Sequence, residues 1–376
     1  MPKKIALDLR SWRSETGGVG RYSRNLLTEL LELDQATEFT AIITPADEPE
    51  FTLSAPNLRK IVVDARVYSP AEQRVLPKIL NAGQFDLVHF SYFNHPLLYR
   101  RPFICTIHDM IVHLFPQEVY RKNWLYDLAY KIDFNDCKRA KKIIVPSQST
   151  KNDLVNRLNF DPTNIVITPE GSEAKFRPHS EAEVRAVRQK LNLPEKYLLF
   201  VSRWERYKGL PVLLEAYQNV VAKMPELGLV ILGKPDKTHP EITKLVGQAQ
   251  AANPKIITPG FVSDDDLAAI YSAASVYVHP SWYEGFGIMI LEAFAAGAPV
   301  VTSNTSSLPE VVGDAGLLVD PRNVDELVAA ITTMLTDPAQ AAAFRKKGFE
   351  RVKQFSWEKM AEQTLAVYNE ALAKGK

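Results

Sequence analysis

Residues 275–304, SVYVHPSWYEGFGIMILEAFAAGAPVVTSN, decide the fold. A β-branched run ends at His279, a loop carries Glu284-Gly285-Phe286-Gly287, an apolar helical stretch runs through Glu292, and a second β-branched run, PVVTSN, follows. Strand, loop, helix and strand in this order form the grammar of a parallel βαβ unit. In such a unit the N-terminus of the helix faces the carboxyl ends of the strands. Its free N–H groups and positive dipole end make an anion site, and Gly285 and Gly287 permit close backbone approach, so a diphosphate suits this turn. If the helix starts near Gly287, Glu292 sits inside its first turns, where a carboxylate can accept both hydrogen bonds that a ribose cis-diol donates. Glu284, in the loop, is placed to accept hydrogen bonds from sugar hydroxyls. A solvated helix residue is the plainer reading of Glu292, and the apolar LEAFAAG context around it speaks against that.

The same grammar extends in both directions. IALDL, FTAIIT, KIVVD, FDLVHF, FICTIH, KIIVPS and NIVIT read as strands separated by helical patterns, and YLLFVSR, LGLVILG, KIITPG and GLLVD complete a second series around the decisive stretch. Two doubly wound α/β domains follow, residues 1–177 and 178–358, with a hinge near Thr168 to His179, where Pro169, Gly171 and Pro178 interrupt the periodicity. The closing amphipathic helix, 359–376, is expected to pack back on the first domain. Ser69-Pro70-x-Glu72 reads as a capping box at one helix start, and Ser263 before Asp264-Asp265-Asp266 as a capped start rather than a metal pair.

Bulk properties set limits. At 376 residues the chain exceeds one ordinary core, and 46% hydrophobic with 24% charged residues is a globular composition. A formal net charge of +1 gives no field to hold nucleic acid through its phosphates. Two cysteines, Cys105 and Cys137, lack metal or disulfide spacing, and the start MPKKIALDLR resembles no signal peptide, so a cytoplasmic setting is expected. The segment VYRKNWLYDLAYKIDFNDCKRAKK, 119–142, mixes aromatics with Arg121, Lys122, Lys131, Lys138, Arg139, Lys141 and Lys142. It reads either as an ordinary helix with a solvated basic face or as a peripheral contact with the inner face of a membrane.

Three further constellations fall at strand ends. SRWERYKG places Arg203 and Lys208 in a strand-to-helix loop, where a planar fork and a point charge could hold two phosphates and stabilise a leaving diphosphate. Ordinary surface charge is the alternative. TGGVGRYSRNLL holds Gly17, Gly18 and Gly20 in a weak likeness of a dinucleotide fingerprint, with Ser23 where a glycine should stand, and a phosphate- or acceptor-facing loop is the better reading. His108 and Asp109 end the run FICTIHDM, where their side chains would reach the ligand edge. The sequence holds no Ser-His-Asp order and no His/Cys cluster.

Together, GGVGRY, IHD, VPSQST, the Arg203/Lys208 spacing, the PGFV turn and EGFGIMILE with its Glu-x7-Glu spacing resemble glycosyltransferase family 4 across nearly the whole chain. The resemblance implies the GT-B architecture, two Rossmann-like domains facing a cleft, and a retaining nucleotide-sugar transferase without a metal or other cofactor, whose donor lies mainly on the second domain. It places Glu284 beside the donor sugar, Glu292 on the ribose, Arg203 and Lys208 on the diphosphate, and backbone contacts at Gly285, Phe286 and Gly287. Gly17 and Gly18 match the first-domain glycine loop, and His108 the cleft histidine near the transferred sugar, with Asp109 on the acceptor side. The base is expected against the turns at Gly233 and Gly260 to Val262. Glu170 departs from the asparagine many relatives carry there, a difference assigned to hinge detail. LDLR, GGVGRYSRNLL and IHDMIVHLFPQ look most like bacterial mannosyltransferases that build surface polysaccharides, which makes GDP-mannose the first donor and a glycan, lipid-linked or small-molecule hydroxyl the acceptor. A UDP- or dTDP-sugar donor, a nucleotide-sugar epimerase or hydrolase, and a non-catalytic nucleotide-sugar-binding subunit are the alternatives. Conversion without acceptor would mark the second of these and binding without turnover the third.

Overall fold

The computed structural model describes residues 2–13, 17–119 and 124–373. Strands β1 (Lys4–Asp8), β2 (Glu38–Ile43), β3 (Leu58–Val62), β4 (Leu87–Phe90), β5 (Phe103–Thr106), β6 (Ile143–Val145) and β7 (Ile165–Ile167) form one sheet in the order β3-β2-β1-β4-β5-β6-β7. Strands β8 (Tyr197–Val201), β9 (Gly228–Leu232), β10 (Ile256–Ile257), β11 (Val276–His279), β12 (Val300–Ser303) and β13 (Leu317–Val319) form a second, β10-β9-β8-β11-β12-β13. The pairings are parallel, with Leu199 opposite Tyr277 and Tyr277 opposite Val300 across the centre of the second sheet. Parallel strands covered by helices on both faces must be apolar throughout, and β4, β8, β9 and β11 are near-continuous buried runs. Two doubly wound, Rossmann-like α/β units result.

The chain divides into one unit of Met1–Leu114, Asn123–Glu170 and Trp357–Lys376 and another of Phe115–Lys122 and Gly171–Ser356. Gly171 to Arg177 and the segment from Phe115, which the sequence reading assigned to the first domain, thus go with the second sheet. In that second unit Leu198, Phe200, Leu229, Ile231, Val276 and Val301 pack against Leu213 and Tyr217 of helix Leu210–Val221 and Leu327 and Ile331 of helix Val324–Thr336. Each fully buried aliphatic of this kind contributes about 1.5–3 kcal/mol.

In the first unit, helix Gly18–Leu33 buries Leu26, Leu27 and Leu30 and lies against the closing helix Trp357–Ala373. The closing helix is tied down by polar contacts as well as packing. His89 of β4 bonds the Tyr368 hydroxyl through Nδ1 (2.7 Å) and Thr106 Oγ1 through Nε2 (2.8 Å), and Lys142 Nζ meets Glu370 at 2.9 Å. Burial, with His108 nearby, pushes the His89 imidazole down to about 3, so it stays neutral and serves as a structural peg.

Two local expectations change. At helix Pro70–Ala82, Ser69 Oγ accepts from Glu72 N (3.2 Å), but the Glu72 carboxylate does not close the capping box. It accepts from Tyr68 N (2.9 Å) and from the Arg10 guanidinium (2.6 Å), which also grips Asp8, because a buried arginine needs acceptors more than an exposed helix end does. The basic stretch 119–142 is not one basic-faced helix: described helix runs Trp124–Cys137, Arg121 and Lys122 lie outside the described residues, Lys142 is buried in its ion pair, and Arg139 clasps Asp136 and the Tyr99 carbonyl.

Candidate active site

All strands of the second sheet run parallel, so their carboxyl ends share one edge, and the order reverses between β8 and β11. Open α/β sheets bind ligands at such a reversal. The loop after β8 carries Arg203 and Lys208, and the loop after β11 carries Glu284 to Gly287. The two loops are stitched together: Trp282 N donates to Tyr207 O (2.7 Å), and Ser281 Oγ lies 3.3 Å from the same carbonyl. Gly209 has φ +78, and a Cβ there would stand 1.9 Å from Pro280 O, so this crossing needs glycine.

Lys208 Nζ lies 2.9 and 2.8 Å from the two oxygens of Glu284, over the Tyr207 ring at 4.7 Å. His279 Nε2 donates to Glu284 Oε1 at 2.7 Å. All three residues are buried. Burial alone would push the Glu284 carboxyl up, but Lys208 and His279 outweigh it and hold it down at about 2. Burial likewise lowers the Lys208 ammonium, yet Glu284 and Tyr207 leave it above its ordinary value. The cluster is therefore an anion and a cation locked together, not a pair of vacant charges. The Arg203 side chain is different: it is 65% exposed along its length, and its guanidinium lies 3.2 Å from Glu205.

The Glu284 loop is held open by serines of the loop after β12. Glu284 N donates to Ser306 Oγ (2.9 Å), and Ser307 Oγ lies 2.9 and 2.8 Å from the carbonyls of Glu284 and Phe286. Gly287, φ +102, then opens helix Ile288–Ala296, which has no side-chain cap; Ile290 N turns back to Gly287 O (2.9 Å), so the uncapped first turn begins at Ile288 and Met289. Glu292 lies in this helix at 2% exposure, which disposes of the solvated reading. Gly260 and Val262 follow β10, three strands from β11 and so roughly 15 Å along the same edge at the usual strand spacing.

In the first sheet the order reverses between β1 and β4. Gly17, φ +67, precedes helix Gly18–Leu33, and a Cβ at Gly17 or Gly18 would touch nothing, so the glycine at 17 answers a backbone need rather than a space limit. The helix start is anchored to the reversal: Ser23 Oγ bonds Ser91 Oγ (3.3 Å), which donates to Asp8 O (2.6 Å). His108, 7% exposed, follows β5 with Nε2 donating to Ser91 O (2.9 Å) and Nδ1 3.3 Å from Glu170 Oε1. Tyr22 lies edge-on to its ring at 4.7 Å. Asp109 Oδ1 accepts from Ile111 N (2.8 Å). Glu170 is thus more than hinge detail: it is buried and fixes His108.

The sequence reading named Arg203, Lys208, Glu284 and Glu292, but missed His279, Tyr207, Ser306, Ser307 and the role of Glu170. The serines had a signal, SNTSS directly after a strand candidate, whereas a histidine inside a strand and a carboxylate distant in sequence had none. Among the described residues no three His, Cys, Asp or Glu side chains gather as a metal site, and no helix is long and apolar enough to cross a membrane.

Two parallel-sheet Rossmann-like units, with polar residues at both strand-order reversals, form the GT-B fold of glycosyltransferases. The chain belongs to glycosyltransferase family 4: residues 16–175 match the family described by that name, and residues 183–351 match the glycosyl transferases group 1 domain. It is 34% identical to the O-antigen chain mannosyltransferase B of Escherichia coli over 267 residues, 70% of this chain and 69% of that one. It is 28% identical to an MMP alpha-(1->4)-mannosyltransferase of Mycolicibacterium hassiacum over 98% of this chain and 99% of that one. Among solved structures, a sucrose-phosphate synthase from Thermosynechococcus elongatus superposes with a TM-score of 0.80 at 26% identity, covering 99% of this chain and 100% of that one.

Proposed function

We propose that this glycosyltransferase takes mannose from GDP-mannose and joins it, with retention, to a hydroxyl of a glycan, lipid-linked or small-molecule acceptor, without a metal. The observation that carries the reading is the buried Lys208–Glu284–His279 cluster set before an uncapped helix start at the β8/β11 reversal. Family membership and mannosyltransferase relatives support the choice of sugar. Glu284 takes hydroxyls of the donor sugar, with Gly285 and Phe286 beside it. Arg203, Lys208 and the Gly287 helix end take the diphosphate, and Glu292 takes the ribose. Gly260 and Val262 face the base. Gly17 and Gly18 line the glycine loop of the first unit, His108 serves the transferred sugar, and Asp109 the acceptor.

In the reaction the bond from the anomeric carbon to the diphosphate oxygen breaks, and the acceptor oxygen bonds from the face that the diphosphate leaves. The acceptor proton passes to the departing phosphate oxygen, and the α configuration is kept. The transition state carries positive charge on the sugar and negative charge on the leaving oxygen. Arg203, Lys208 and the helix end stabilise the latter, each by ~2–4 kcal/mol.

The test is a thermal-shift series with GDP, UDP, dTDP and ADP on the wild type and on Glu292→Ala. Ligand at about 100 times its dissociation constant adds ~2.7 kcal/mol. A shift with GDP that vanishes in the variant is the expected result. A shift with another nucleotide would reassign the donor, and none with any would overturn the reading.

The protein is proposed to work in the cytoplasm, with a peripheral contact at the inner face of the membrane. Trp124, Leu125, Leu128 and Ile132 are exposed on helix Trp124–Cys137 within an arc of about 100° at 3.6 residues per turn, beside exposed Leu98 and the cation of Lys131. Apolar side chains flanked by lysine suit an anionic lipid surface. Unchanged co-sedimentation of the Leu128→Glu, Ile132→Glu double variant with anionic vesicles would sink this contact.

A further inference from the structure

We infer that His279 is a positioning residue for donor-sugar recognition: through its Nε2–H it fixes the rotation of the Glu284 carboxylate in the orientation that accepts sugar hydroxyls. This role rests on the nucleotide-sugar reading above.

His279 is the last residue of β11 and has no exposed surface. Its ring is stacked between Tyr277 (6.0 Å, 11°) and Phe200 (6.2 Å, 26°), both fully buried. The imidazole plane is therefore fixed by packing. Nε2 lies 2.7 Å from Glu284 Oε1, while Nδ1 is buried with no hydrogen-bond partner among the described residues. A carboxylate only accepts, so the hydrogen of the ring sits on Nε2. A buried nitrogen without a partner is a cost that most proteins avoid. Here it accompanies a ring whose single polar task is to aim one N–H at one carboxylate oxygen.

The geometry at Glu284 gives that task its purpose. Among the described residues Oε2 is held by Lys208 (2.8 Å), whereas Oε1 is shared between Lys208 (2.9 Å) and His279 (2.7 Å). The backbone of the same residue is fixed separately, by Ser306 and Ser307. With the backbone fixed, the rotation of the carboxylate is set by its two side-chain partners. Remove the imidazole N–H and only the ammonium remains, a compact charge with no planar preference. The carboxylate keeps Lys208 but can turn about it, and its lone pairs no longer lie where a rigid ring of hydroxyls would meet them. The nucleotide half of a donor, which meets Glu284 only through Lys208, changes much less, because that ion pair is kept.

The experiment compares binding of GDP-mannose and of GDP to the full-length wild type and to His279→Leu, His279→Gln and His279→Asn, with melting temperature as the control for folding. The amide nitrogen of glutamine reaches the place of Nε2; that of asparagine reaches only the place of Nδ1. Tenfold or greater loss of GDP-mannose affinity in the Leu and Asn variants, with GDP affinity within threefold of wild type and with Gln restoring most of the sugar term, is the expected pattern. Should the Leu variant not fold, the Gln and Asn pair carries the same contrast. Equal losses for GDP and GDP-mannose, or a Gln variant no better than Asn, would overturn the positioning role while leaving the nucleotide-sugar reading intact. Failure of the wild type to bind GDP, UDP, dTDP or ADP would bring down that reading and this role with it.

Discussion

Replacing Lys208 by methionine tests the cluster most directly. Sequence alone suggests a cost to turnover and little to folding. The structure revises this, because Lys208 and Glu284 are a buried pair, with side chains only 10% and 9% exposed. Breaking such a pair from one side leaves an uncompensated carboxylate and costs about 3–5 kcal/mol. At about 2–4 °C per kcal/mol for a unit of this size, the melting temperature should fall roughly 6–20 °C. The double variant Lys208→Met, Glu284→Gln replaces the ion pair with neutral groups, and the new amide oxygen can still accept from His279, so much of the loss should return. Turnover should not return: the ammonium proposed to stabilise the leaving diphosphate is gone in both, a loss of about 30- to 900-fold for the ~2–4 kcal/mol expected of such a group. Differential scanning fluorimetry with and without nucleotide, and release of nucleotide diphosphate from the donor, are the readouts. A single variant that melts within 2 °C of wild type, or a double variant that is no more stable than the single, would refute the electrostatic account.

Two other outcomes follow from the same kind of reasoning. Burial pushes the Asp133 carboxyl up to about 6 although Asn94 and His95 pull it down; a raised carboxyl is a stability penalty that is absent below its ordinary value of 3.8, grows as pH rises and is complete above about 6. Asp133→Asn should therefore stabilise the protein at pH 8, by up to ~3 kcal/mol, and hardly at all at pH 4, with melting curves at the two pH values as the check. At Gly209, φ +78 and a Cβ position 1.9 Å from Pro280 O mean that alanine must part the two loops that bring Lys208 to Glu284. Gly209→Ala should abolish the nucleotide thermal shift, and an undiminished shift would show that the crossing tolerates movement.

Architecture was legible because it is written locally. The strand runs are β-branched or apolar, the helices follow within a few residues, and a parallel sheet needs little more than that alternation. The decisive stretch around Glu284 was legible for the same reason: a strand, two glycines and a helix start stand side by side in sequence. What could not be read depends on which strands become neighbours. Lys208 meets Glu284 only because β8 and β11 pair, and Ser306 meets Glu284 only because β12 lies beside β11. Glu170 meets His108 across 62 residues, and Lys142 turns inward to Glu370 across many more, so a lysine in a basic run reads as surface charge until the closing helix is in place. The Glu72 carboxylate illustrates the competition most plainly, since its spacing from Ser69 satisfies a local rule that a buried arginine overrides.

The difference between the two cations of the β8 loop has a consequence for how a diphosphate would be received. Arg203 leaves most of its side chain in solvent and pairs with Glu205, whereas Lys208, buried, is paired with both oxygens of Glu284. A cation of the first kind attracts an anion at lower cost, because its side chain already lies in solvent and meets its carboxylate neighbour at a single contact. A cation of the second kind is worth more to a charge that develops late: ground-state binding must compete with a buried carboxylate, while the leaving diphosphate, more negative than the bound donor, competes better. Interactions that strengthen from ground state to transition state are those that raise turnover. On this argument Arg203 contributes mainly to capture and Lys208 mainly to departure. In the proposed reaction the Lys208–Glu284 contact would then withhold stabilisation until the bond to the sugar is breaking.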